Sequence, residues 1–342
     1  MPELSVILDN FNYAEYLPQA IESVLEQTFD DYELIIVDDG STDDSLKIIR
    51  QYAEISTKII PVTKANGGQT SAFNVGFSVS QGRIIALLDS DDYWYPQKLE
   101  KIVESHKSSK IVQHYLTENG NNVYRKIAGD VDWSYALTKF GFMYQHSPTS
   151  ALSFHREVIE PFFPLVNAEE MRGYSDGCIL MLAMTYAKIS CLNEVLGFYR
   201  VHGKNLNANH TDSGAELLEV SIRQRNYVNK QLALRNLPEL PYDNGQYIDY
   251  LLSTVDFDDK PAAIYGTGNS GERVAETLKR FGVPVWGFAA SRSGNYSVTP
   301  GELFNHRMEF GKVVIASSAQ EAIADTLYSC GFNDNAIVKL AI

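Results

Sequence analysis

Arg83–Pro96 reads RIIALLDSDDYWYP, and the interpretation of this stretch decides the fold. Ile84, Ile85, Ala86, Leu87 and Leu88 follow one another with no polar alternation. A strand reads this way when both of its faces are covered, as in a parallel sheet flanked by helices. The run then breaks into Asp89-Ser90-Asp91-Asp92. In open α/β sheets the ligand crevice lies beyond the carboxyl ends of the strands. An extended Asp89-x-Asp91 directs both carboxylates to one side, because side chains alternate along a strand. Two hard oxygen ligands there suit Mg²⁺ or Mn²⁺ held jointly with substrate phosphates. The competing explanation is that these acids start the next helix, with Pro96 as its first residue. That leaves Asp89 and Asp91 upstream of any capping position.

Working outward, the preceding residues alternate strands and helices. Leu4–Leu8 is a short apolar strand ending in Asp9-Asn10-Phe11-Asn12, and a helical pattern follows through Tyr16, Leu17, Ile21, Val24 and Leu25. A second strand, Glu33–Val37, runs into Asp38-Asp39-Gly40-Ser41-Thr42-Asp43-Asp44. Ser41 or Thr42 is suited to cap the next helix, with Asp43 and Asp44 in its first turn. Asp38 and Asp39 are left over, either for an Asp-rich turn or for a ligand. Lys58–Val62 is a third strand, and Asn66-Gly67-Gly68-Gln69 leads into a helix through Phe73, Val75 and Phe77. Paired glycines permit close approach of a ligand, and equally an ordinary tight turn. Four strands through residue 105 make a nucleotide-type α/β layout whose polar loops share one sheet edge.

The 342 residues have room for about two domains, and 44% hydrophobic with 21% charged content fits a globular chain. A net charge of -14 argues against a nucleic-acid partner and against a broad electrostatic hold on anionic lipid. No N-terminal stretch reads as a signal peptide, and no apolar run approaches the ~20 residues of a bilayer span. Cys178–Ala187 reads as a buried helix. Cys178, Cys191 and Cys330 have no metal-ligand spacing and are expected as buried thiols in a reducing cytoplasm.

LSVILDNFNYAEYLPQAIESVLEQTF, YELIIVDDGSTDDS, KANGGQTSAFNVGF and GRIIALLDSDDYWYPQKLE resemble, in order and spacing, the motifs of family 2 glycosyltransferases. These are inverting enzymes with the GT-A nucleotide-diphospho-sugar transferase fold. The resemblance implies that the acids at Asp38-Asp39 grip the nucleotide base, with Asp39 accepting the ring N–H of uracil or thymine. It implies Asp91 as ligand of a Mn²⁺ or Mg²⁺ ion on the donor diphosphate, and Asp89 as holding the ribose and orienting the metal. Asn12 is kept, although Asp9-Asn10-Phe11-Asn12 departs from the commoner Pro-Thr-Tyr-Asn; Gly67 and Gly68 join the donor site. Tyr174-Ser175-Asp176-Gly177 matches the segment that carries the general base. Asp176 is the candidate, Glu169 and Glu170 are the alternatives, and Ser175 or Asp176 would equally serve as a helix N-cap. The chain has Ser-Asp where the family often has Glu-Asp. Ser147-Pro148-Thr149-Ser150-Ala151 is similar to an acceptor-facing segment. Gly197–Gly203 resembles the closing Tyr-Arg-x-His segment, with Arg200 for phosphate charge and His202 for the metal or the leaving diphosphate.

The rest is expected to be looser. Ile111–Tyr115 and Asn122–Ile127 read as strands around the turn Glu118–Asn121. The domain expectation is a glycosyltransferase domain over 1–205, a helical linker packed on it over 206–258, and a small α/β domain over 259–342. In the last, Gly266-Thr267-Gly268-Asn269-Ser270-Gly271 lies between strand and helix like a dinucleotide fingerprint. The ribose-binding acid expected ~20 residues on is missing, since the second strand ends Ala289-Ala290-Ser291-Arg292. The unit resembles small Rossmann-like modules appended to sugar-modifying enzymes. A structural or assembly role, through self-association or a protein partner, is favoured over NAD(P) binding, while Arg292 leaves a phosphate-bearing ligand open.

These readings point to a metal-dependent inverting hexosyltransferase. It would use a UDP- or dTDP-linked donor and a saccharide or lipid-linked saccharide acceptor, in bacterial surface polysaccharide or glycoconjugate assembly. Its expected place is the cytoplasm or the inner face of the membrane, with peripheral contact. The rivals are a nucleotidyltransferase, which lacks its Gly-rich basic loop here, a non-catalytic nucleotide-binding or assembly protein, and a bifunctional enzyme with nicotinamide chemistry in its last domain.

Overall fold

The computed structural model describes residues 1–118, 122–124, 132–141, 146–203, 205, 214–242, 246–291, 297–317 and 319–340. They fall into two units, the first within residues 1–124, 132–138 and 146–241 and the second within 139–141 and 242–340. The first begins with β1 (Leu4–Asn10), α1 (Leu17–Leu25), β2 (Tyr32–Asp38), α2 (Ser45–Ile55), β3 (Ile59–Thr63), α3 (Gln69–Val79) and β4 (Ile84–Asp89). It continues with β5 (Tyr93–Trp94), α4 (Lys98–Ser105), β6 (Ile111–Glu118), β7 (Asn122–Tyr124), α5 (Trp133–Phe140), β8 (Leu152–His155) and α6 (Arg156–Ile159). The last elements are α7 (Ser175–Met184), β9 (Ile189–Tyr199) and α8 (Gly214–Ala233).

The sheet runs β3-β2-β1-β4-β8-β6-β9-β5, with β7 beside β6. Its first four strands are parallel, as expected from the unalternating apolar run of β4. Val6, Leu8, Leu34, Ile36, Ala86 and Leu88 form one core with Leu17 and Ile21 of α1 and Leu99 and Ile102 of α4. The register pairs Asp9 with Asp89, Asn10 with Asp38, and Asp38 with Thr63. Four strand ends are therefore level, and their acids stand on one edge. β8 pairs antiparallel with both β4 and β6, and β9 runs parallel to β6. β5 pairs antiparallel with β9, Tyr93 against Phe198 and Trp94 against Gly197. This ribbon draws the chain after Asp89 and the chain after Tyr199 together.

Two helix starts differ from expectation. α4 begins at Lys98, not Pro96, because the chain leaving β5 at Trp94 first makes a turn through Pro96 and Gln97, in which the Lys98 N–H bonds the Tyr95 carbonyl at 3.1 Å. α2 begins at Ser45, so Ser41 and Thr42 do not cap it. The Ser41 hydroxyl accepts from the Asn12 N–H at 2.9 Å and the Thr42 N–H donates to Asn12 Oδ1 at 2.8 Å, tying the loops after β1 and β2 together. Asn12 takes a left-handed φ of 59° to do so. β7 ends at Tyr124; residues 119–121 and 125–127 of the expected hairpin lie outside the described residues.

The second unit comprises α9 (Gln246–Ser253), β10 (Ala262–Tyr265), α10 (Asn269–Arg280), β11 (Val285–Ala289), β12 (Ser297–Val298), α11 (Pro300–Asn305), β13 (Lys312–Ile315), α12 (Gln320–Ser329) and β14 (Ile337–Lys339). Its sheet, β12-β11-β10-β13-β14, is parallel throughout. Ile248 and Leu252 of α9 pack with Ile264, Val274, Leu278 and Val314 in its core. The expected linker 206–258 is thus divided: α8 stays with the first unit, where the Tyr227 hydroxyl donates to the Val166 carbonyl at 2.9 Å, while α9 serves the second. The amphipathic pattern of α9 marked a helix, but not which core it would enter. In the turn after β10, a Cβ on Gly271 would stand 2.1 Å from the Gly266 carbonyl oxygen, so Gly271 is required by the turn itself. Arg292 lies outside the described residues. No described helix is long and apolar enough to cross a membrane. All three cysteines are free, Cys178 buried and Cys191 and Cys330 half-buried.

Candidate active site

The level strand ends bring Asp9, Asp89, Asp91 and Asp92 together. Asp89, Asp91 and Asp92 each offer a carboxylate oxygen within 4.8 Å of the others. Burial, reinforced by the Asp91 charge, pushes Asp9 up to about 7, and its Oδ1 is buried without a hydrogen-bond partner. Asp89 is held well above the usual carboxylate range by burial and then by the charges of Asp9, Asp91, Asp92 and Asp176. Burial also raises Asp91, opposed by His202, and raises Asp92, reinforced by Asp91. Crowded, desolvated carboxylates of this kind are a repulsive arrangement that a divalent cation would relieve. The donor set is all hard oxygen with one imidazole beside it, which fits Mn²⁺ or Mg²⁺.

The acids are not equivalent. Asp92 is already committed, since Oδ2 accepts from the Ser150 hydroxyl at 2.6 Å and Oδ1 from the Arg200 N–H at 2.9 Å. Ser150 Oγ also accepts from the Asp89 N–H at 3.1 Å, and the Ser150 carbonyl accepts from Lys98 Nζ at 2.9 Å and Trp94 Nε1 at 2.8 Å. Lys98 is fully buried, lies 3.2 Å over the Trp94 ring, and is pushed well below its ordinary pKa by burial, with Asp92 opposing. Asp91 faces the closing segment. His202 Nε2 stands 3.0 Å and Asn205 Nδ2 3.3 Å from Asp91 Oδ2.

Arg200 is fixed from three sides. Its Nε donates to the Asp91 carbonyl at 2.8 Å, its terminal nitrogen to Gln19 Oε1 at 2.5 Å, and its guanidinium lies 4.9 Å from the Tyr16 ring centroid. His202 stacks on the same Tyr16 ring at 4.8 Å. The β5–β9 ribbon thus puts Arg200 and His202 beside Asp91.

Asp38 and Asp39 part company. Asp38 is fully buried and accepts from Asn10 Nδ2 at 3.0 Å and the Ser41 N–H at 2.9 Å. Asp39 accepts from the N–H groups of Gly67, at 2.9 Å, and Gly68, at 2.7 Å, and pairs with Lys64. The two glycines therefore hold Asp39 in place. A Cβ on Gly68, whose φ is +85°, would meet the Arg172 Cβ and carbonyl at 2.7 Å.

On the far side, α7 starts at Ser175 after Tyr174 in a left-handed conformation, and neither Tyr174 nor Asp176 supplies a side-chain cap. Asp176 therefore sits uncommitted to capping in the first turn, close enough for its charge to raise Asp89. Glu169 and Glu170 are exposed, and Glu170 pairs with Lys230 at 2.5 Å. Sequence reasoning missed Gln69, Lys98 and Asn205, and gave Ser150 only a place in an acceptor-facing segment.

The sequence profile of Glycosyl transferase family 2 matches residues 5–157. An uncharacterized glycosyltransferase of Nostoc sp. is 40% identical over 233 residues, 65% of this chain and 71% of the relative. A Bacillus subtilis protein whose name places it in teichuronic acid biosynthesis is 41% identical over 104 residues, 30% of this chain and 41% of its own length. The structure of S. aureus TarS 1–349 in complex with UDP-GlcNAc shares the fold at a TM-score of 0.51 and 17% identity, over 82% of this chain and 80% of that one. A parallel sheet with this acidic edge and a relative matched over most of its length lead to one conclusion: the chain belongs to glycosyl transferase family 2.

Proposed function

We propose that this glycosyltransferase moves a sugar from a UDP- or dTDP-linked donor to a saccharide hydroxyl, with inversion, in bacterial surface polysaccharide assembly. The observation that carries the reading is the buried acid cluster Asp89-Asp91-Asp92 facing Arg200 and His202 on one side and Asp176 on the other. The teichuronic acid name of the Bacillus relative and the UDP-GlcNAc in TarS support the donor class and setting. Asp39 is our choice for the pyrimidine N–H, and we keep Asn12, Asp38, Gly67 and Gly68 as the frame that holds it.

Asp91 and Asp89, with His202 alongside, are the residues that would hold a divalent ion, and when bound it would offset the negative charge of the leaving diphosphate. The acceptor oxygen attacks the anomeric carbon from the face opposite the diphosphate. Its proton passes to the Asp176 carboxylate as the carbon–oxygen bond to phosphate breaks, and the electron pair leaves with the diphosphate. Arg200 is pre-positioned for the developing phosphate charge, so little reorganisation accompanies the step. We assign the second unit, residues 259–342 with α9, a structural or assembly role.

The test is product analysis by NMR after incubation with UDP- and dTDP-sugars and a panel of saccharides. A new glycosidic bond of anomeric configuration opposite to the donor's is expected. Retained configuration would remove the single-displacement mechanism, and transfer from purine donors alone would remove the assignment of Asp39.

A further inference from the structure

Between the donor acids and the base-bearing helix stands one neutral side chain with no role so far. Gln69 Nε2 donates to Asp89 Oδ1 at 3.0 Å, and Gln69 Oε1 accepts from the Ser175 N–H, the first of α7, at 3.3 Å. One amide thus joins the carboxylate at the end of β4 to the helix that carries Asp176 as its next residue. The surrounding contacts make the join stiff. The Gln69 N–H donates to the Arg172 carbonyl at 2.8 Å, and Thr70 Oγ1, fully buried, bonds the Met171 carbonyl and stands 2.6 Å from Ser175 Oγ. Gly68 admits the Arg172 backbone where any side chain would collide.

We propose that Gln69 is a positioning residue that sets the separation between Asp89, on the donor side, and Asp176, on the acceptor side. This rests on the reading of Asp176 as the base. A primary amide suits the place because it presents a donor at one end and an acceptor at the other. Glutamate would set a like charge against Asp89, and leucine or methionine would fill the space while joining nothing. A nucleophile and an anomeric carbon must meet within a narrow range of distance, so a shift of α7 against β4 lowers the rate of transfer without removing any group that touches the substrate.

The experiment is a double-mutant cycle between Gln69→Leu and Asp176→Asn, paired with a crystal structure of Gln69→Leu; Gln69→Met replaces leucine should the first variant fold poorly. Transfer by Gln69→Leu is expected to fall roughly 10- to 100-fold. In the Asp176→Asn background the same change is expected to cost less than about twofold, because the geometry it protects no longer matters. The crystal structure is expected to show Ser175 N moved from Asp89 by on the order of 1 Å. Equal losses in both backgrounds would overturn the proposal, as would an unchanged Asp89–Ser175 separation. A wild-type protein with no transferase activity would instead remove the proposed function, leaving the crystal structure to decide whether Gln69 sets the spacing.

Discussion

Two sheet edges in this molecule have the same architecture and opposite contents. At the carboxyl ends of β1, β2 and β4 stand Asp9, Asp38, Asp89 and, just beyond, Asp39, Asp91 and Asp92. At the carboxyl ends of β10 and β11 stand the Gly266–Gly271 turn and Ala290-Ser291, with no carboxylate among the described residues of those loops. The first edge crowds acids out of water: burial raises Asp9, Asp89, Asp91 and Asp92, and neighbouring carboxylates add to the rise at Asp9, Asp89 and Asp92. The second closes on itself, Gly271 against the Gly266 carbonyl. A parallel α/β edge is an address for ligands, and the side chains placed there decide whether anything is bound.

The contrast is broken most directly by Asp91→Asn. Transfer should fall by about three orders of magnitude, and the Mn²⁺-dependent part of nucleoside diphosphate binding should vanish. Comparable loss from changes at Gly266–Gly271 would reverse the assignment of the working edge. Asp176→Asn should lower kcat by roughly 10²- to 10⁴-fold while donor affinity stays within about twofold, as expected for removal of a general base. Loss of donor affinity instead would move Asp176 to the donor site, and unchanged kcat would return attention to Glu169 and Glu170.

The crowded acids also predict a pH effect. Asp9 binds its proton more tightly in the folded protein, up to about 7, than in the unfolded chain. Stability of the metal-free protein should therefore fall as pH rises from the ordinary carboxyl range through about 7. Thermal melts in EDTA at pH 5 and pH 7.5 check the sign, Mn²⁺ should restore the loss, and Asp9→Asn should flatten the slope. A melting temperature that rises over this interval would contradict the acid cluster as described. The smallest effects belong to the second edge. Gly271→Ala should lower the melting of that unit by several degrees, since the added methyl meets backbone. Gly268→Ala, which faces open space, should leave both melting and transfer within error.

Much of this was legible because it is local. The apolar run Ile84–Leu88 implied a strand covered on both faces, and β4 is that strand. The polar loops after β1, β2 and β4 were expected on one edge, and the register puts them there. What escaped notice depends on contacts between residues far apart in the chain. Ser150 reaches Asp92 across 58 positions and Gln69 reaches Ser175 across 106, and no spacing rule relates such pairs. Nothing in the chain around Lys98 marked it as buried, because β5, whose Trp94 ring lies against its ammonium, is only two residues long. The division of the linker escaped for the same reason: α9 has an apolar face, but only the second sheet determines where that face goes.

The most direct test of the account is a calorimetric titration of UDP, dTDP, GDP and NAD⁺, each with and without Mn²⁺, against the wild-type protein and Asp91→Asn. Mn²⁺-dependent binding of a pyrimidine diphosphate that disappears in the variant is expected, with no binding of NAD⁺. Binding of NAD⁺ with none of any diphosphate would contradict it and place the ligand chemistry at the second edge.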